Sequence, residues 1–233
     1  MRIALADDDR DIRDQVSAMV QKAGHVVDEF TNGLDVQKAL QRDTYDVVLL
    51  DWNMPGRTGF QVLEWAAENI EFPPPFILLT SRQDKSDIVA GLEAGAVDYI
   101  VKPESEEVIR ARIEAAAKRT AVKEIRDTAE FGPFMINHSA RKITRDGEAI
   151  TLTAKEYDLA VLLFENIDRP LSRSYLFSRV WGGNIDVETR TIDMHISRLR
   201  SKLGLTPESG LVIRTVFGFG YRMDHFEVED LSE

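Results

Sequence analysis

The chain has 233 residues, of which 43% are apolar and 30% charged, with a formal net charge of −11. At roughly 100 to 200 residues per domain this length suits two small domains, and the composition shifts near residue 120. With no cysteine there can be no disulfide framework, thiol nucleophile or thiolate metal site, and His25, His138, His195 and His225 are too scattered for a zinc site. No stretch approaches the roughly 18 apolar residues of a membrane span, and the start MRIALADDD turns acidic too early for a signal peptide, so a soluble cytoplasmic protein with no membrane partner is expected.

Charge is unevenly distributed. Residues 1 to 120 hold 14 Lys+Arg against 22 Asp+Glu, a net of −8; residues 121 to 223 hold 15 against 13, a net of +2; the last ten carry five acids and no base. An acidic first half, a mildly basic second half and an acidic tail point to different partners for each part.

Short apolar runs at residues 2 to 6, 25 to 30, 46 to 50, 76 to 80 and 98 to 102 predict five strands. Amphipathic stretches at 9 to 23, 33 to 42, 58 to 69, 84 to 94 and 104 to 119 predict helices between and after them. Strand and helix repeat five times, so the expected fold class is α/β, a doubly wound five-stranded parallel sheet of the flavodoxin-like kind. The near-continuous Val/Ile/Leu of DVVLL and FILLT suits strands buried on both faces.

Ligands of such sheets bind at the carboxyl ends of the strands. The residues there are Asp7 and Asp8, Asp51, Thr80 and Lys102. Converging carboxylates repel one another, and either some take up protons or a divalent cation sits among them. Oxygen-only ligands favour Mg²⁺. An Asp beside Mg²⁺ can attack a phosphoryl group, with a Lys ammonium and a Thr hydroxyl holding its oxygens.

ADDD at 6 to 9, LLDWNMPG at 49 to 56, LLTS at 78 to 81 and DYIVKP at 98 to 103 resemble the receiver domain of two-component response regulators over residues 1 to 119. The resemblance implies that Asp51 is the phosphoacceptor, that Asp7, Asp8, Asp51 and the Asn53 backbone carbonyl hold Mg²⁺, and that Lys102 pairs with the phosphate. It makes Thr80 and Tyr99 a switch pair, with small Ser81 leaving the phosphate room. A rival reading takes Asp7-x-Asp9 as the nucleophile and general acid of a haloacid-dehalogenase-type phosphatase. That reading leaves DWNMPG without a role and meets Arg10 where a small or β-branched residue is usual.

Residues 121 to 130 read as a linker or an extension of the fifth helix. FMINHS, RKITRDG and EAITL predict a small antiparallel sheet, with an Asp146-Gly147 turn. TAKE at 153 to 156 is a capping box before an apolar helix, a second helix follows at 173 to 180, and a third at 188 to 203. On the third, Ile192, Ile196, Leu199 and Leu203 form an apolar stripe. Thr191, His195, Arg198 and Lys202 share one flank, and Arg190, Ser197 and Ser201 lie opposite the core.

VETRTIDMHISRLRSKLG at 187 to 204 followed by IRTVFGFGYRM at 213 to 223 resembles the winged-helix effector domain of the OmpR/PhoB family. This implies an α+β domain over 131 to 225, ahead of an acidic tail at 226 to 233. Its third helix would enter the major groove, with Arg190, Thr191, His195, Arg198 and Lys202, and Thr215 at the wing, as DNA contacts. Further implied partners are a sensor histidine kinase, RNA polymerase at the GGNIDV turn, and a homodimer on activation. The expected whole is a phosphorylation-controlled DNA-binding transcription regulator and not a metabolic enzyme.

Several positions depart from the family pattern. Glu104 stands where Phe is usual. Of three intermolecular salt bridges usual at the dimer face, one survives as Asp98 with Arg112, one is lost to Ala90 and Val108, and one keeps Arg119 opposite Val97. Ser197 and Phe217 stand where Arg is usual, which weakens the expected DNA contacts. These changes leave open a constitutively dimeric, phosphorylation-independent regulator of the same fold.

Overall fold

The computed structural model describes residues 1–81, 85–120, 127–182 and 189–226, which divide into two compact units, Met1–Val122 and Lys123–Glu233. The first unit alternates β1 (Arg2–Ala6), α1 (Arg10–Lys22), β2 (Val26–Phe30), α2 (Gly33–Arg42), β3 (Val47–Asp51), α3 (Gly59–Asn69), β4 (Phe76–Thr80), α4 (Lys85–Glu93), β5 (Asp98–Val101) and α5 (Glu106–Thr120). Every strand pair is parallel and the sheet order is β2-β1-β3-β4-β5. The five strands and five helices match the expected elements to within a residue or two.

The strand period of two sorts the core. Ile3, Leu5, Val47, Leu49, Ile77 and Leu79 face one side with Val16, Val20, Ile109 and Ile113 of α1 and α5. Ala4, Ala6, Val48, Leu50 and Leu78 face the other with Val36, Leu40, Val62 and Leu63 of α2 and α3. Because β1 sits between β2 and β3, successive connections leave it in opposite directions. The crevice this opens lies at the carboxyl ends of β1 and β3. At the other end of β1, Arg2 is 3% exposed and its guanidinium donates to Asp28 at 2.6 Å and Asp43 at 2.7 Å, an ion cluster distant from the crevice.

The second unit opens on a four-stranded antiparallel sheet, β6 (Thr128–Phe131), β7 (Phe134–Asn137), β8 (Lys142–Arg145) and β9 (Glu148–Ile150), in that order. β6 corrects the sequence reading: Thr128 to Glu130, expected within the linker, pair with Asn137 to Met135. A polar strand of four residues carries too little alternation to be recognised alone; pairing with β7 decides it. The Asp146-Gly147 turn is found where expected, with φ of 51° and 85°, as a two-residue hairpin of this hand requires.

Three helices follow: α6 (Ala154–Phe164), α7 (Arg173–Trp181) and α8 (Thr189–Leu203). The chain closes on β10 (Leu171–Ser172), β11 (Leu211–Val216) and β12 (Gly220–His225), a sheet ordered β10-β12-β11. Thr153 and Glu156 form the anticipated capping box. Ile192, Ile196, Leu199 and Leu203 of α8 are each at most 1% exposed and pack with Leu159, Leu163 and Leu176 of α6 and α7. Helix trio and terminal hairpin make a winged-helix arrangement.

Candidate functional site

The β1–α1 loop begins at Asp7, fully buried, and Asp8, which is exposed. Asp51 ends β3 at 6% exposure. Carboxylate oxygens of Asp7, Asp8 and Asp51 lie within 4.8 Å of one another. Lys102 reaches in from the end of β5, its Nζ donating to Asp7 Oδ2 at 2.5 Å and to Asp51 Oδ1 at 2.5 Å. Four of the five strand-end side chains, from three strands, thus meet in one cleft of about 480 Å³, lined also by Asn53, Ser81 and Glu104; Thr80 is not among its lining residues.

Burial pushes the Asp51 carboxyl up, and neighbouring Asp7 adds to this; Lys102 and the Asn53 backbone N–H, 2.9 Å from Asp51 Oδ2, offset part of it. Burial alone would lower the Lys102 ammonium, but the two carboxylates outweigh it and hold it above the ordinary range. Three clustered carboxylates against one ammonium leave net negative charge in a partly desolvated cleft. All-oxygen donors of this kind fit a hard divalent cation such as Mg²⁺.

Thr80 ends β4 at 4% exposure, paired in register with Val101, one residue before Lys102. Tyr99 lies on β5, half-buried. Asp9 has a different task from the one the rival phosphatase reading needs. Its carboxylate caps α1, accepting the backbone N–H groups of Asp11 at 2.9 Å and Ile12 at 3.2 Å, a capping arrangement that leaves it poorly suited to deliver a proton.

Two supporting residues escaped the sequence reading. Arg13 Nη1 donates to the Asp7 backbone carbonyl at 2.9 Å, and Arg13 is itself paired with Glu29 at 3.5 Å. Gly59 opens α3 so close to β3 that a Cβ there would meet the Asp51 carbonyl oxygen at 2.1 Å. The Thr58-Gly59 pair, a cap residue followed by the smallest one, was the available signal for the second; nothing in the sequence marks the first.

In the second unit, Arg190, Ser197 and Arg198 lie exposed on α8, as the helical phase predicts. His195 and Lys202 each have a partner within the fold. The His195 ring packs edge-on to Trp181 at 4.9 Å and its Nδ1 lies 2.8 Å from the Thr191 carbonyl. Lys202 is exposed and donates to Glu156 at 2.7 Å. Its side chain remains 37% exposed beside that buried carboxylate.

Further ties join α8 to the hairpin. Tyr221 of β12 donates to Asp193 at 2.6 Å, and Arg173 pairs with the same carboxylate at 3.0 Å. Arg200 donates to the Ile213 carbonyl at 2.7 Å and to Thr215 Oγ1 at 3.2 Å. Thr215 is exposed on β11. At the expected dimer face, Arg112 Nη1 donates to both carboxylate oxygens of Asp98 at 2.7 Å, so this pair closes within one chain. Ala90 and Val108 of the lost pair are half-buried. The Arg119 side chain and residues 183–187 of the GGNIDV turn lie outside the described residues, as does the acidic tail beyond Phe226.

Residues 3–114 match the response regulator receiver domain family, and residues 147–223 match the family described as transcriptional regulatory protein, C terminal. The transcriptional regulatory protein AfsQ1 of Streptomyces coelicolor is 38% identical over 95% of this chain and 97% of its own length. The phosphate regulon transcriptional regulatory protein PhoB of Pseudomonas aeruginosa is 33% identical over 94% and 96%. A solved structure of the Thermotoga maritima response regulator DrrB, an OmpR/PhoB homolog by its description, is 30% identical, covers 96% of this chain and 98% of that one, and has a TM-score of 0.46. Receiver and DNA-binding domain in this order, with relatives aligned end to end, make the chain a member of the OmpR/PhoB family of two-component response regulators, transcription regulators under phosphorylation control.

Proposed function

We propose that Asp51 is the phosphoacceptor and that Asp7, Asp8, Asp51 and the Asn53 backbone carbonyl hold Mg²⁺. The observation that carries this reading is the meeting of Asp7, Asp51 and Lys102 at hydrogen-bond distance. In the transfer, an Asp51 carboxylate oxygen bonds to the phosphorus of a phosphohistidine on a sensor kinase. The P–N bond breaks and the imidazole leaves with its electron pair. Mg²⁺, when held by the site's oxygens, would supply neutralisation of charge on the phosphoryl group. Lys102, paired with Asp51 before transfer, turns to those oxygens afterwards, and Thr80 and Tyr99 respond as the switch pair.

The output follows from the second unit. Arg190 and Arg198 are the principal DNA contacts, since a guanidinium grips guanine or phosphate in bidentate fashion; Thr191, His195, Lys202 and Thr215 position the backbone. Activation favours a homodimer in which Asp98 and Arg112 exchange their present partnership for one across the interface. The protein acts in the cytoplasm, with RNA polymerase as a further partner and no metabolic reaction of its own. Glu104 lines the acidic cleft, and a carboxylate there opposes an incoming phosphoryl group, which favours phosphorylation-independent dimerisation as the second reading.

The test is selection of bound DNA from a random pool with and without a phosphodonor. Enrichment of one sequence class only with donor supports the first reading, equal enrichment in both arms the second, and no enrichment removes both.

A further inference from the structure

The wing tip carries a side chain that the fold does not use. Phe217 is 100% exposed, the most exposed large apolar residue described, at the turn joining β11 and β12. The backbone beneath it is firmly held. Phe219 N–H donates to the Val216 carbonyl at 3.0 Å, Gly218 takes a φ of 72°, and Arg173 N–H donates to the Phe219 carbonyl at 3.2 Å. Gly220 sits so close to β10 that a Cβ would meet the Leu171 carbonyl oxygen at 2.0 Å. The hairpin is also tied to α8 through Tyr221–Asp193 and Arg200–Thr215. Phe217 is thus projected at a set distance from the helix that carries Arg190 and Arg198, with none of its surface covered by the described residues.

We infer that Phe217 is a wedge that enters the minor groove beside the bases read by α8, partly unstacking one base step and bending the site. The inference rests on α8 and the hairpin being the DNA interface. An uncharged aromatic cannot read a phosphate or the polar floor of the groove, but its flat face can replace base–base stacking that it disrupts. A pyrimidine–purine step yields most readily to such a wedge, so the preference at that position should be for TA or CA steps, read through deformability and not through hydrogen bonds. The same substitution that removes a cation from the tip would therefore change what is recognised there, and not only weaken it.

The experiment uses full-length protein treated with a small acyl phosphate and a duplex selected by the wild type from a random pool, with 2-aminopurine placed at successive steps of the flank. Wild type should raise 2-aminopurine fluorescence at one step and bend the duplex in a permutation gel assay. Phe217→Ala should lose both signals and weaken binding about tenfold. Its salt dependence should stay unchanged, because no counterion-releasing group is removed. Phe217→Trp should keep unstacking and bending. Phe217→Arg should steepen the salt dependence by about one unit of slope while the unstacking signal disappears. If Phe217→Ala binds and bends the duplex as wild type does while loss of Arg190 and Arg198 abolishes binding, the wedge is wrong and the interface stands. If neither change matters, or wild type selects no DNA, the interface itself fails and the wedge with it. A wild-type self-association lost in Phe217→Ala with bending intact would assign the residue to a second copy, also overturning the inference.

Discussion

Lys202 donates to Glu156 at 2.7 Å, joining the last turn of α8 to the first turn of α6 through a carboxylate only 1% exposed. The same carboxylate oxygen accepts the Thr153 N–H at 2.8 Å. Burial would raise the Glu156 carboxyl; Lys202 and the Thr153 N–H outweigh it and hold the group below the ordinary glutamate range. A depressed folded-state value means stabilisation fully present above the unfolded value, about 4.3, and lost as pH falls through the folded one. Urea unfolding should show wild type more stable than Glu156→Gln at pH 7, with the gap closing toward pH 3. A gap that is the same at both values would sink this account.

Replacing Lys202 with Ala should cost about 1 to 2 kcal/mol of stability, since the carboxylate it leaves is buried while Lys202 itself is partly solvated. The salt dependence of DNA affinity should flatten by about one unit of slope, since the exposed ammonium also meets the DNA backbone. An unchanged slope would confine Lys202 to its structural pairing with Glu156.

For the receiver chemistry, a small acyl phosphate should label the protein only with Mg²⁺ present, and Asp51→Asn should abolish the label. Lys102→Ala should retain label and lose the downstream response, because Lys102 turns to the phosphate after transfer. Label on the Asn variant, measured by mass spectrometry, would contradict the assignment of Asp51.

Gly59→Ala should lower stability by about 1 to 3 kcal/mol and depress labelling with it. The obstacle to its Cβ is the Asp51 carbonyl, 2.1 Å away, and backbone at a strand end cannot swing aside as a side chain does. Thermal melting at wild-type temperature with normal labelling would show that α3 can shift without disturbing Asp51.

The dimer makes the most demanding test of the Asp98–Arg112 pair. A shift from 1:99 to 99:1 needs about 5.5 kcal/mol of differential stabilisation, more than one phosphate contact supplies, so association must contribute. Asp98→Arg and Arg112→Asp should each weaken the phosphorylated dimer in sedimentation runs, and the double exchange should partly restore it. A dimer indifferent to all three would place the interface elsewhere.

What the sequence determined by itself is periodic or terminal. Continuous apolar runs marked β1, β3 and β4 as buried strands; the 3.6-residue stripe set the buried side of α8; the position of Asp7, Asp8, Asp51 and Lys102 at strand ends, with the rule that parallel sheets bind ligands there, was enough to foresee the acidic cleft before any contact was known. Tertiary structure decided the rest. Whether Lys202 has a carboxylate partner depends on Glu156, 46 positions away, whether Thr128 to Glu130 are linker or strand depends on β7, and whether Arg112 bridges within a chain depends on where β5 brings Asp98. These are outcomes of competition between water and a particular partner for one polar group. The partner's location is a property of the folded chain and leaves no periodic trace in the sequence.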